Sequence, residues 1–79
     1  MKFIFDSIRE TLAEVGALPA NIVRQRVFVV DLQLDHRSVI ANAMTEFYGG
    51  GGSATSTCVG VPALLVEGAL VEIDVTAVI

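Results

Sequence analysis

Glu72 stands between Val71 and Ile73 in the alternating stretch Ala69 to Ile79, which projects Glu72 and Asp74 from one face of an extended segment. A carboxylate in such a central-looking strand is costly unless it meets water, a cation or a pocket. Two readings stay open. On a solvated face, which antiparallel sheets often keep, Glu72 is an ordinary surface acid. In an apolar site its pKa rises, and it can act as a general acid or orient a water molecule, which makes it the candidate catalytic residue.

Other reactive residue types have weaker context. Cys58 falls inside a strand-like run with no candidate base assigned, so a small buried hydrophobe is favoured over a nucleophile. His36 sits between Asp35 and Arg37, with no second histidine and no cysteine cluster, so no metal ligand set exists. It reads as a solvated surface residue. Gly49-Gly50-Gly51-Gly52 suggests a phosphate cradle only superficially, because a strand rather than a helix follows and no lysine comes after it. A flexible connector is the simpler assignment.

The elements that must position these residues follow from periodicity. Phe5, Ile8, Leu12 and Val15 form one stripe of a helix from about Phe3 to Val15, ended by Gly16. Ser7 and Glu10 fit a capping box that would start this helix later, and the longer helix is preferred. After the break at Leu18-Pro19-Ala20-Asn21, Val23 to Val30 is a strand with Val23, Gln25, Val27 and Val29 on one face. Asp35 can cap a helix from His36 to Tyr48, with Ile40, Ala43, Met44 and Phe47 as its apolar stripe and Gly49 as its stop. Thr55 to Val61 and Ala69 to Ile79 complete a single α+β domain over residues 1–79, in the order α-β-α-β-β.

Composition limits the partners. A 79-residue domain buries only roughly 60% of its unfolded surface. The chain is nevertheless 53% hydrophobic, a surplus that points to a subunit interface. Its net charge of −4 argues against nucleic acid as a partner. Apolar runs such as Val27 to Val30 are far shorter than the ~20 residues a membrane span needs, and Asp6 interrupts any signal-peptide core. With one cysteine and no disulfide framework, a soluble cytoplasmic protein is expected.

The segment Ser53 to Val61, with Ala63-Leu64 and Leu70-Val71-Glu72-Ile73-Asp74, resembles the closing signature of the Rid (YjgF-like) family. Ile8 to Gly16 resembles that family's first helix, and Ile22-Val23-Arg24 through Val27 to Leu32 its following strand. The resemblance covers nearly the whole chain. It implies a chorismate-mutase-like α+β fold, a homotrimer with ligand clefts between subunits, and, in the best-studied branch, cofactor-free hydrolysis of enamines and imines to ammonia and a 2-oxo acid. It also implies that Glu72 matches a glutamate that places water and that Cys58 matches the signature cysteine. Ser56 occupies the position of the arginine that binds the substrate carboxylate. A hydroxyl cannot reproduce a bidentate guanidinium clamp. Gly60 stands where a glutamate is common. The family's opening pair of strands has no counterpart before Met1, so a chain shortened at its N-terminus and a rearranged oligomer are expected.

Two functions compete. One is a homo-oligomeric small-molecule protein with Ser56, Thr57, Cys58 and Glu72 at an intersubunit cleft, where hydroxyls suit a polar metabolite and catalysis is at most weak. The other is a structural relative that folds by assembly and has lost the site. No cofactor and no metal are expected.

Overall fold

The computed structural model describes residues 1–49 and 54–79, so the expectations for Gly50 to Gly52 and Ser53 lie outside the described residues. Helix α1 spans Lys2–Glu14, a 3-10 turn spans Pro19–Asn21, strand β1 spans Ile22–Val30, helix α2 spans His36–Tyr48, and strands β2 and β3 span Thr55–Val61 and Val71–Ala77. The order α-β-α-β-β and the α+β class are as the residue pattern indicates.

Helix α1 follows the longer of the two readings, and Ser7 lies inside it rather than at its start. Lys2 and Arg9 flank Asp6 at 3.0 and 3.2 Å on its exposed side. Its end is a Schellman motif: Gly16 N–H donates to Ala13 O at 3.1 Å, and Ala17 N–H donates to Leu12 O at 2.9 Å. Gly16 has a φ of +75°, a conformation that costs any residue with a Cβ. The motif turns Ala17 into the core and leaves Val15 exposed, which corrects the expectation that Val15 belongs to the buried stripe.

Helix α2 begins without a side-chain cap from Asp35. Gln33 N–H instead donates to His36 Nδ1 at 3.1 Å, and His36 N–H donates to Gln33 O at 3.1 Å. His36 is therefore a half-buried turn residue rather than a freely solvated one.

The sheet order is β2-β1-β3, with β1 parallel to β2 and antiparallel to β3. Strand β1, not the C-terminal strand, is central, and β3 is an edge that is shorter than the expected Ala69 to Ile79. Its ends are still tied: Val30 N–H donates to Leu70 O and Val78 N–H to Asn21 O, both at 2.9 Å. The register with β3 slips between Ile22 and Arg24, where β1 carries one extra residue. That bulge turns Val23 outward and puts Ile22 beside Gln25, Val27 and Val29 on the buried face.

Both helices pack on this face. Phe5, Leu12, Ala17, Ile22 and Phe47 form one buried cluster, and Val27, Val29 and Ile40 form another. Met44 and Ile73 touch both. Phe5 and Phe47 stack with ring centroids 4.5 Å apart, which joins α1 to α2. No helix among the described residues is long and apolar enough to cross a membrane.

Candidate functional site

Because residues paired across neighbouring strands share a face, the register sorts the candidate residues. Ser56 pairs with Gln25 and Cys58 with Val27, so both lie on the helix side of the sheet. Thr57 pairs with Arg26, which pairs in turn with Asp74, so Thr57 lies on the opposite, open face. Glu72 pairs with Phe28 and shares that open face, where it is exposed. Of the two readings of Glu72, the water-facing one describes it within the chain.

The structure therefore separates what the resemblance groups together. Ser56 and Cys58 are on one face of the β2 edge, while Glu72 is on the other face of the β3 edge. The two edges are two strand spacings apart, about 10 Å.

Helices α1 and α2 do not extend fully over β2. Ser56 and Cys58 consequently stay open and form the floor of a groove of about 530 Å³, walled by Leu32, Arg37, Met44 and Thr45. Cys58 is an exposed free thiol, not the buried hydrophobe expected of a strand interior, because β2 is an edge beyond the helical cover. Gly60 follows on the same strand, where a Cβ would come within 3.1 Å of Leu32 Cβ, so a bare backbone lets Leu32 sit over the strand end.

Beneath the groove lies a polar chain. Gln25 is only 1% exposed, the one buried polar side chain recorded among the described residues. Its Nε2 donates to Ser56 Oγ at 3.0 Å, and its Oε1 accepts from the Tyr48 hydroxyl. No buried side-chain nitrogen or oxygen among the described residues is left without a partner. Burial pushes the Tyr48 phenol above its ordinary value of 10.0, so it remains a donor at neutral pH. Sequence reasoning missed this pair. The signal was there, since Gln25 interrupts an otherwise apolar inward face and a buried amide demands partners.

On the open face, Arg26 grips Asp74 with two nitrogens: Nε at 3.0 and 3.1 Å from the two carboxylate oxygens, and Nη2 at 2.7 Å from Oδ2. Hydrogen bonding from Arg26 holds the Asp74 carboxyl below its ordinary value of 3.8. Glu72 stands next to this pair without joining its bidentate bond. Among the described residues no three His, Cys, Asp or Glu side chains gather into a metal site.

The comparisons with known proteins agree with this architecture. The family model described as endoribonuclease L-PSP matches residues 1–79. Among solved structures, the Rid-family protein YyfB from Yersinia pestis is 33% identical, with a TM-score of 0.89 over 95% of this chain and 56% of that one. A probable translation initiation inhibitor from Rhodopseudomonas palustris is also 33% identical, with a TM-score of 0.83 over 96% of this chain and 57% of that one. A Mycobacterium tuberculosis member of the YjgF/YER057c/UK114 family is 27% identical, with a TM-score of 0.79 over 94% and 60% of the two chains. No curated protein matches. The chain thus spans little more than half the length of these structures. With a family model matching from end to end and a shared helix-on-sheet core, the chain belongs to the Rid (YjgF-like) family, whose model carries the endoribonuclease L-PSP description.

Proposed function

We propose that this chain acts as a homo-oligomer, a trimer or a multiple of one, that binds a small polar metabolite in a cleft between copies and lacks efficient enamine or imine deaminase activity. The observation that carries this reading is the separation of Ser56 from Glu72. They occupy opposite faces of opposite sheet edges. A site that uses both must draw Ser56 and Cys58 from one copy and Glu72 from another, with Thr57 on the same open face as Glu72. Two sheet edges that are unpaired among the described residues favour such association.

The chemistry at position 56 argues for binding over turnover. The Ser56 hydroxyl offers one neutral hydrogen bond where a deaminase of this family presents a guanidinium, so Glu72 alone would have to place both water and substrate. RNA cleavage, which the family description names, suits this chain poorly. Its net charge is −4, and Lys2, Arg9 and Arg26 are already paired with Asp6 or Asp74.

Light scattering on the eluted protein, together with ammonia release from a freshly generated imine, tests the proposal. A stable assembly with little ammonia release supports it. A monomer at micromolar concentration sinks the intersubunit cleft. Efficient release abolished by Glu72→Ala would establish the alternative, an imine hydrolase yielding a 2-oxo acid. Activity appearing only in Ser56→Arg would show a cleft that is formed but lacks its charge.

A further inference from the structure

We propose that the edge of β3 left open among the described residues pairs with β3 of a second copy, antiparallel about a two-fold axis at Val75, with Ile79 of each copy seated at an apolar groove of the other. The contact goes beyond the cleft proposed at Ser56, since β1 separates the β3 edge from β2.

The ladder to β1 fixes which backbone groups this edge presents. Leu70 O and Val78 N–H point toward β1, where they meet Val30 and Asn21. Because bonding groups alternate sides along an antiparallel strand, those of Glu72, Asp74 and Thr76 also point inward, and those of Val71, Ile73, Val75 and Ala77 point outward. Nothing along the strand blunts the edge. Residues 71 to 79 hold no Pro, Gly, Lys or Arg, the bulge lies on β1, and the Asp74 carboxylate is already matched by Arg26. Strand β2 is less suited, with Gly60 within it and Pro62 directly after it.

Charge selects the register. A two-fold axis normal to the sheet keeps the helices of both copies on one side, so residues of like facing pair. Centring on Asp74 sets Asp74 against itself, and centring on Ile73 sets Glu72 against Asp74 twice, both of them like-charge juxtapositions. Centring on Val75 avoids these. Val75 then meets itself, Ile73 the partner's Ala77, Asp74 the partner's Thr76, Glu72 the partner's Val78, and Val71 the partner's Ile79. A shift further toward Ile79 shortens the ladder and leaves Val71 unpaired.

The groove supports the same register independently. Val71 lines a predominantly apolar concavity of about 250 Å³ with Met1, Val39, Ile40 and Leu70, between the start of β3 and α2. By alternation Ile79 lies on the same side as Val71, so the register that charge selects carries the partner's Ile79 to this groove. Val39, Leu70 and Ile79 are all exposed within one chain. Pairing covers them on both copies at once, as an isologous contact requires.

Light scattering and amide hydrogen exchange on the full chain at several concentrations test the proposal. An even-numbered assembly is expected, with exchange at Ile73, Val75 and Ala77 slowing as concentration rises. Ile79→Lys, at a position 78% exposed within one chain, leaves folding intact and is expected to weaken the two-fold contact at least about tenfold. Val78→Lys, set opposite the partner's Glu72, is expected to tighten it several-fold, and Val78→Glu to loosen it by a similar factor. Equal effects of these two substitutions would overturn the register. Slow exchange at the edge that is independent of concentration would mean that another part of the same chain covers β3, and would overturn the proposal. A trimer with fast-exchanging edge amides would overturn it and leave the cleft reading standing. A dimer supports it while removing the trimeric cleft, and a hexamer that Ile79→Lys divides into trimers supports both. A monomer with fast-exchanging edge amides overturns both.

Discussion

Gln25 Nε2 and Ser56 Oγ are 3.0 Å apart across the β1–β2 pair, so a fully buried amide holds a hydroxyl that faces solvent. The bond couples the interior to the groove. Gln25→Leu takes the hydrogen-bond partner from the hydroxyl of the half-buried Tyr48, and is expected to cost about 1 kcal/mol. Adding Tyr48→Phe to Gln25→Leu should recover part of the loss, since it removes the unpaired group. Urea unfolding of the two single variants and the double variant checks this, and strict additivity would count against the network.

Tyr48 is the only tyrosine in the chain, so phenolate absorbance reports it alone. Burial raises its folded pKa above 10.0. The stability tied to its proton is fully present below that ordinary value and is lost as pH rises through the folded value. A spectrophotometric titration should give a midpoint above 10.0 in the native protein, returning to about 10 in denaturant. A native midpoint at or below 10.0 contradicts the buried environment.

The Arg26–Asp74 pair should show the opposite pH dependence. Asp74 has a lowered folded pKa, so its contribution is present above the ordinary value of 3.8 and fades as pH falls through the folded value. Both partners are about half exposed, which makes the effect small and salt-sensitive. Asp74→Asn should shift the urea midpoint slightly at neutral pH and not at all well below pH 3.8, and a difference that persists in acid would point to another cause.

Phe5 and Phe47 are 2% and 5% exposed and stacked, and they join the two helices. Phe47→Ala is expected to cost about 3–5 kcal/mol, whereas Phe47→Leu, which keeps most of the volume, should cost considerably less. Thermal or urea unfolding separates the two, and a similar loss for both would show that the ring geometry, not the volume, matters.

Much of the fold was legible because single residues punctuate it. Gly16 and Gly49 stop the helices where the apolar stripes run out, and β-branched runs mark the strands. The limits of α2 and β2 coincide with those read from the pattern. What escaped detection was relational. The bulge that turns Val23 outward depends on the register with β3, which no local alternation encodes. Helix α2 has no side-chain cap from Asp35, and the His36 ring instead accepts the Gln33 N–H ahead of the helix because the turn there brings that group to Nδ1, an arrangement that composition leaves open. Strand order also escaped. Glu72 looked central because β3 has the cleanest alternation, yet centrality comes from pairing on both edges, and that belongs to β1. The separation of Ser56 from Glu72 follows from that order, so it too was invisible in one dimension.

Among the described residues, strand β1 alone pairs with both others, and its partners begin at Thr55 and Val71, far along the chain. During synthesis, β1 leaves the ribosome with both ladders open and stays so while α2 and then β2 are made. Helices α1 and α2 can form early from local contacts, but closing the sheet waits on distant segments, which slows folding. Until β3 emerges, the Gln25 face has only the helices for shelter and one flank of β1 is available to any other extended chain. This interval is when the nascent protein is most open to mispairing and to chaperone capture.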